Sequence, residues 1–196
     1  MAILAKWRAA GFASCALASS LWGCGFFFGK IALREMGVAH MVLYRFLFAV
    51  IPLLPLLATH KPGLNRREWG VLAIAAFLGI PLQFLLQFYG LSLTTVSHAS
   101  LMVGTMPVIL AVGASIFAHE RLDWTGWLAL AGSTTGVSLI VLGGHHEGSG
   151  RGPTLAGDLL IVLSLMIALS WVLLNKHLMR GHSPLAVTAY GLLAGT

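Results

Sequence analysis

Between Glu68 and Glu120 the chain runs for 51 residues without an Asp, Glu, Lys or Arg. No soluble surface can be made from such a stretch, and it is too long for one membrane helix, which needs about 20 residues. Two helices fit. The natural break is Ser92-Leu93-Thr94-Thr95-Val96-Ser97, where clustered hydroxyls can turn and cap a chain. The pattern recurs on either side. Arg8 and Lys30 enclose 21 uncharged residues, Asp123 and Glu147 enclose 23, and Asp158 and Lys176 enclose 17. A further apolar run from about Val38 to Ala58 is broken only by Arg45, and another begins after Ser183-Pro184. These runs predict helices near 10–32, 39–58, 69–91, 96–118, 125–143 and 156–176, with a seventh that reaches Thr196 before completing a crossing.

Composition agrees. Of 196 residues 58% are hydrophobic and 9% charged, against about 25% charged in soluble domains. Soluble, disordered and fibrous classes are excluded, leaving an all-α integral membrane protein, a polytopic helix bundle. The net charge of +6 comes from basic residues set between the apolar runs rather than on one face. It therefore points to orientation in a bilayer and not to nucleic acid. Cys15 and Cys24 share one apolar stretch without CxxC spacing, which argues against a disulfide framework or a zinc site. The first run continues through Phe26-Phe27-Phe28, longer than a signal-peptide core, and reads as a first transmembrane helix.

Basic residues in the N-terminus and alternate loops (Lys6, Arg8, Lys61, Arg66, Arg67, Arg121, Lys176, Arg180) outnumber those on the other side (Lys30, Arg34, Arg151) by eight to three. The expected topology places the N-terminus in the cytoplasm of a cell (plasma or inner) membrane, with the loop His145-His146-Glu147-Gly148-Ser149-Gly150-Arg151 outside.

Shifting the chain by 146 residues lays the first span on the sixth. Ala10 falls on Ala156, Gly11 on Gly157, Leu17 on Leu163, Lys30 on Lys176 and Arg34 on Arg180. A Lys-x-x-x-Arg step thus ends both copies. Five spans separate them, so the copies cross the membrane in opposite directions, a mark of secondary transporters built from inverted repeats. Two complete repeats would occupy roughly 290 residues, and on that basis the chain is expected to be a fragment.

Leu21-Trp22-Gly23, Phe26 and Lys30, then Arg45-Phe46, open a wider pattern. It continues through Tyr89-Gly90-Leu91-Ser92-Leu93-Thr94-Thr95-Val96-Ser97-His98-Ala99-Ser100-Leu101, then Pro107, Glu120-Arg121-Leu122, Gly126, Gly132 and Gly136. This ordered set resembles the EamA domain of the drug/metabolite transporter superfamily. The resemblance implies ten helices in two inverted five-helix repeats that move small metabolites, often outward. Residues 12–143 would form the first repeat with five transmembrane helices, 144–154 an extracytoplasmic loop, and 155–196 the start of the second repeat, helix 6 and a shortened helix 7.

Polar groups inside the runs need a reason, since an ionisable group at mid-membrane costs about 2.5–3.5 kcal/mol on insertion scales. Arg45 suits an anionic substrate group in a water-filled cavity, or snorkels to outer phosphates. Lys30, nearer the interface, has the same two readings. Gln83 and Gln87, four apart on one helical face, suit a polar stripe on a substrate cavity, or interhelical hydrogen bonds. His98 suits a substrate or proton role, or an interfacial histidine. Trp22 stacks on a substrate or packs between helices. The spacings of Gly25 and Gly29, and of Gly132 and Gly136, let helix backbones approach closely. Pro107 removes a backbone hydrogen bond and kinks or hinges its helix. Glu35, Glu68, Glu120, Asp123, Glu147 and Asp158 all lie at span ends or in loops. A proton-coupled mechanism would therefore fall to His98 or to groups outside these residues.

Enzyme chemistries find no support. No Walker loop is present, nor paired aspartates at metal-binding spacing, nor an intramembrane serine-protease motif. His145-His146-Glu147 lacks further ligands for a metal. No cofactor and no metal are expected. The expected function is secondary transport of the drug/metabolite type, exporting a small polar or amphipathic metabolite by alternating access. Its partners are the lipid bilayer, a small-molecule substrate, and either a homodimer mate or a second repeat. The alternative is a non-transporting membrane subunit that needs a partner half to form any site.

Overall fold

A computed structural model describes residues 2–59, 63–117, 123–143 and 154–196. The described residues are almost wholly helical and contain no strand. Helix α1 is Ala2–Ala32. Helix α2 is Val38–Val50, continuing through a tight 3-10 turn at Ile51–Leu53 into Leu54–Thr59. Helices α3 (Arg66–Ser92) and α4 (Val96–Phe117) follow. The remaining three are α5 (Trp124–Gly143), α6 (Leu155–Met179) and α7 (Pro184–Gly195). These are the six predicted spans and the short seventh. Four helical stretches, Ala10–Ala32, Arg66–Ser92, Val96–Phe117 and Leu155–Met179, are long and apolar enough to cross a membrane. The uninterrupted apolar parts of α2 and α7 are shorter.

Local chemistry sets the helix starts. Before α3, Asn65 Oδ1 accepts the amides of Arg67 and Glu68, both at 3.0 Å, while Glu68 Oε2 accepts the Asn65 amide at 2.7 Å. That reciprocal arrangement satisfies donors a helix start would leave open. The hydroxyl-rich break behaves as its residues require: the Thr95 hydroxyl accepts the His98 amide at 3.2 Å and starts α4. Thr154 does the same for Gly157 in α6, and Asp123 for Gly126 in α5. Prolines mark the irregularities. Pro52 lies in the 3-10 turn, and Pro81 lies in a five-residue π-helical segment, Leu78–Leu82, inside α3. Helix α4 breaks at Thr105, two residues before Pro107.

The core is the antiparallel pair α3 and α6. The α3 span is 44% buried, against 6% for those of α1 and α4. Its small residues admit the partner helix: the Trp171 indole lies against Gly79, and the Gly157 backbone and Ile161 lie against Gly90. Helix α2 joins through Phe46, edge-on to Phe84 at 4.9 Å. Helix α7 joins through buried Val187, packed with Leu72, and through Tyr190, whose hydroxyl donates to the Leu57 carbonyl at 3.0 Å. Phe12, Leu17, Phe48, Phe117 and Trp124 point outward, as a lipid-facing surface requires. Helix α5 packs on the first half of α4.

Candidate functional site

A cavity of about 530 Å³ opens where α2 and α3 meet α6 and α7. Its walls are apolar and aromatic: Phe46, Ile80, Phe84, Trp171, Val187 and Leu192. Three polar residues line it: Asn175 and Lys176 from the last turns of α6, and Thr188 from α7. Two of them are oriented by their own helices. Asn175 Nδ2 donates to the Trp171 carbonyl at 3.0 Å, and the Thr188 hydroxyl donates to the Pro184 carbonyl at 2.8 Å. The π-helical segment forms part of the wall, since Gly79 and Ile80 come from it. An apolar chamber with a few convergent polar groups is the usual form of a small-molecule site.

Arg45 turns inward from α2. Its guanidinium lies 5.3 Å from the Phe84 ring centre and 5.5 Å from that of Phe88. A methyl group added at Gly25 of α1 would sit 3.3 Å from Arg45 Nη1, so the absence of a side chain there makes room for the cation. Phe88 in turn packs on Gly29, and it stacks with Phe26 at 6.4 Å and Phe84 at 6.3 Å. Arg45 thus backs an aromatic wall whose member Phe84 faces the cavity.

Gln83 and Gln87 are 3% and 1% exposed. The Gly79–Trp171 and Gly90–Ile161 contacts fix a register that sets them opposite residues 164–168 of α6. There Ser164 turns its hydroxyl back to the Ile161 carbonyl at 2.6 Å. Gln83 Oε1 and both amide atoms of Gln87 have no hydrogen-bond partner among the described residues.

Lys30 and His98 gather at another place, where α1 ends and α6 begins. Lys30 Nζ donates to the carbonyls of Leu91 and Thr94, both at 2.6 Å, closing the end of α3. His98 Nδ1 lies 3.3 Å from Thr94 Oγ1 and 3.1 Å from Asp158 Oδ1. Asp158 and this cluster are about 27 Å along α6 from Lys176, at 1.5 Å per residue.

Trp22 is exposed at 43% on α1. A methyl at Gly132 or Gly136 would meet nothing within 4 Å. Glu120, Arg121, His145, His146, Glu147 and Arg151, and most of the 144–154 loop, fall outside the described residues. Among the described residues no group of three or more His, Cys, Asp or Glu could hold a metal. Sequence reasoning missed Asn175, Thr188 and Trp171 as cavity residues, and Asp158 as the partner of His98. Asn175 alone carried a signal, as an amide within an otherwise apolar run.

An all-α bundle with apolar membrane-length helices and a chamber between them defines a polytopic membrane protein. Residues 9–142 match the EamA-like transporter family, and the chain belongs to that family. It is 30% identical over 184 residues to an uncharacterized transporter of Archaeoglobus fulgidus, covering 92% of this chain and 62% of the relative. It is 25% identical over 196 residues to the uncharacterized transporter YetK of Bacillus subtilis, covering 98% and 59%. A probable terminal-alkyne amino-acid exporter of Streptantibioticus cattleyicolor is 25% identical over 178 residues, covering 89% and 58%. The chain spans about three fifths of the length of these relatives. No solved structure matches it significantly.

Proposed function

We propose that this protein is a secondary transporter that exports a small amphipathic metabolite by alternating access, with its N-terminus in the cytoplasm. The observation that carries this reading is the 530 Å³ cavity, placed where helices of the first repeat meet those assigned to the second. Transporters with inverted repeats bind substrate at such a junction. The aromatic and aliphatic walls suit an apolar body, while Lys176, Asn175 and Thr188 suit a carboxylate and its hydrogen-bonding neighbours. The likeness to a probable amino-acid exporter supports a substrate of amino-acid size. Arg45, behind Phe84, sets the aromatic wall and places positive charge near the chamber. The Gln83 carbonyl oxygen and the Gln87 amide, unpaired in this state, face the lumen when α3 and α6 separate.

The test is counterflow of radiolabelled propargylglycine and leucine in proteoliposomes, normalised to inserted protein. The unsubstituted protein should exchange at least one of them. Asn175→Leu should weaken exchange, and Thr188→Trp, which fills the chamber, should abolish it. Exchange unaffected by Thr188→Trp would place the substrate path elsewhere.

A further inference from the structure

We propose that His98 and Asp158 form the proton-binding site through which transport is coupled to the pH gradient. This rests on the transport reading and names its coupling ion.

The geometry centres on a single atom. His98 Nδ1 has two neighbours, Thr94 Oγ1 at 3.3 Å and Asp158 Oδ1 at 3.1 Å. Asp158 Oδ1 is buried and receives no aligned hydrogen bond from any described residue. The contact between them is therefore one of charge, and its strength depends on the charge of the ring. With both ring nitrogens protonated, a positive ring faces the carboxylate and holds the first turn of α6 against α4. Loss of one proton leaves a neutral imidazole, and the ion pair that held the two helices is gone. Histidine is the side chain whose charge changes near neutral pH.

The surroundings make this pair the variable element of its neighbourhood. The other links there have fixed protonation: Lys30 stays on the carbonyls of Leu91 and Thr94, and the Thr154 hydroxyl donates to the Leu93 carbonyl at 2.9 Å. Lys30 from α1 is the charged neighbour on the turn that carries His98. Helix α4 has no titratable residue other than His98, and α5, packed on it, has none. Tyr89, in the last turn of α3, is exposed. From α6 the facing groups are Asp158 and Thr154.

The pair also joins the right elements. Helix α4 lies in the first repeat and α6 opens the second, so the contact bridges the two at one end of the bundle. Protonation of the His98 ring to the cation closes that end, and loss of that proton opens it. One proton is taken up and one given back per cycle, without covalent chemistry. The cavity that would carry substrate lies toward the far end of α6, so proton and substrate act on the same helix from separate places.

Two measurements test this. In the first, spin labels at Ser97→Cys on α4 and Leu159→Cys on α6, in a Cys15→Ser, Cys24→Ser background in lipid nanodiscs, report the distance between the helices from about pH 5 to pH 9. The parent should show a change that follows the uptake of one proton. His98→Gln, which keeps a side-chain amide but cannot titrate there, and Asp158→Asn should both remove it. A pH response undiminished in both variants overturns the proposal, as does a parent with no response. In the second, proteoliposomes carry radiolabelled propargylglycine. In both variants accumulation driven by a pH gradient should fall by roughly an order of magnitude relative to the same variant's counterflow at equal pH, within the usual range of coupling between sites. Gradient-driven accumulation equal to the parent's also overturns it. Absence of counterflow in the parent counts against the transport reading instead, and the distance measurement then decides the proton site alone.

Discussion

Gly90 of α3 and Gly157 of α6 meet backbone to backbone. A methyl at Gly90 would lie 2.8 Å from the Gly157 carbonyl oxygen and 2.7 Å from Ile161 Cγ1, and one at Gly157 would lie 3.0 Å from the Gly90 carbonyl oxygen. Backbone cannot yield as a flexible side chain does. Gly90→Ala should therefore force the central pair apart and cost roughly 1–3 kcal/mol, the usual penalty of overpacking. Gly132→Ala, which meets nothing within 4 Å, should be neutral or stabilise by up to about 1 kcal/mol through helix propensity. Thermal unfolding in mild detergent compares them, and equal behaviour of the two variants would refute the assignment of α3 and α6 as the core.

At the start of α3 the Glu68 carboxyl is held below its ordinary value of 4.5, first by the Asn65 backbone amide and then by His182, with His177 adding its charge. His182 Nε2 lies 3.1 Å from Glu68 Oε1. A carboxyl depressed in the folded state contributes stability that is complete above its unfolded value and is lost as pH falls through the folded one. Glu68→Gln should therefore destabilise the protein at neutral pH, and the difference from the parent should shrink as pH falls from 4.5 and vanish once it has passed below the lower, folded value. A difference that persists in acid would show that the variant acts through something other than this charge.

Gln83 is buried with its carbonyl oxygen unpaired. Leaving a buried polar group without a partner costs about 1–3 kcal/mol, and an apolar replacement of similar shape removes that cost. Gln83→Leu should leave the melting temperature unchanged or raise it while lowering transport more than the surface change Arg66→Ala. Loss of both stability and transport would instead mean that the amide is part of the resting fold.

Arg45 lies over two aromatic rings, and Lys cannot stack as a planar guanidinium does. Arg45→Lys should loosen the Phe84–Phe88 wall by about 0.5–2 kcal/mol, the range for such contacts, and weaken transport of an anionic or zwitterionic substrate with insertion intact. Lys snorkels as well as Arg. If the variant matched the parent in both unfolding and vesicle flux, Arg45 would be reduced to an interfacial anchor.

The spans were legible in the chain because membrane insertion is decided locally. Charges are costly in hydrocarbon wherever they sit, so charge-free runs mark helices. The Thr95 cap and the turn before it are written in adjacent residues. The family was legible for a related reason: its pattern is an ordered set of such local features.

Tertiary structure alone decided which helix is central. The α1, α3 and α4 spans are all apolar enough to cross a membrane, yet 44% of the α3 span is buried against 6% of each of the others. Between helices in lipid there is little hydrophobic bias, and close packing chooses the partners. Gly90 and Gly132 carry the same letter in comparable runs, and only the first has a neighbouring helix against it. Lys30 finds its carbonyls 61 and 64 residues away, and His98 finds Asp158 across an intervening helix. Those pairings join α1 to the end of α3 and α4 to the start of α6, contacts between distant helix faces that no run of neighbouring residues encodes. Charge along the chain set where the apolar helices run; the fit between distant helix faces set which polar groups meet.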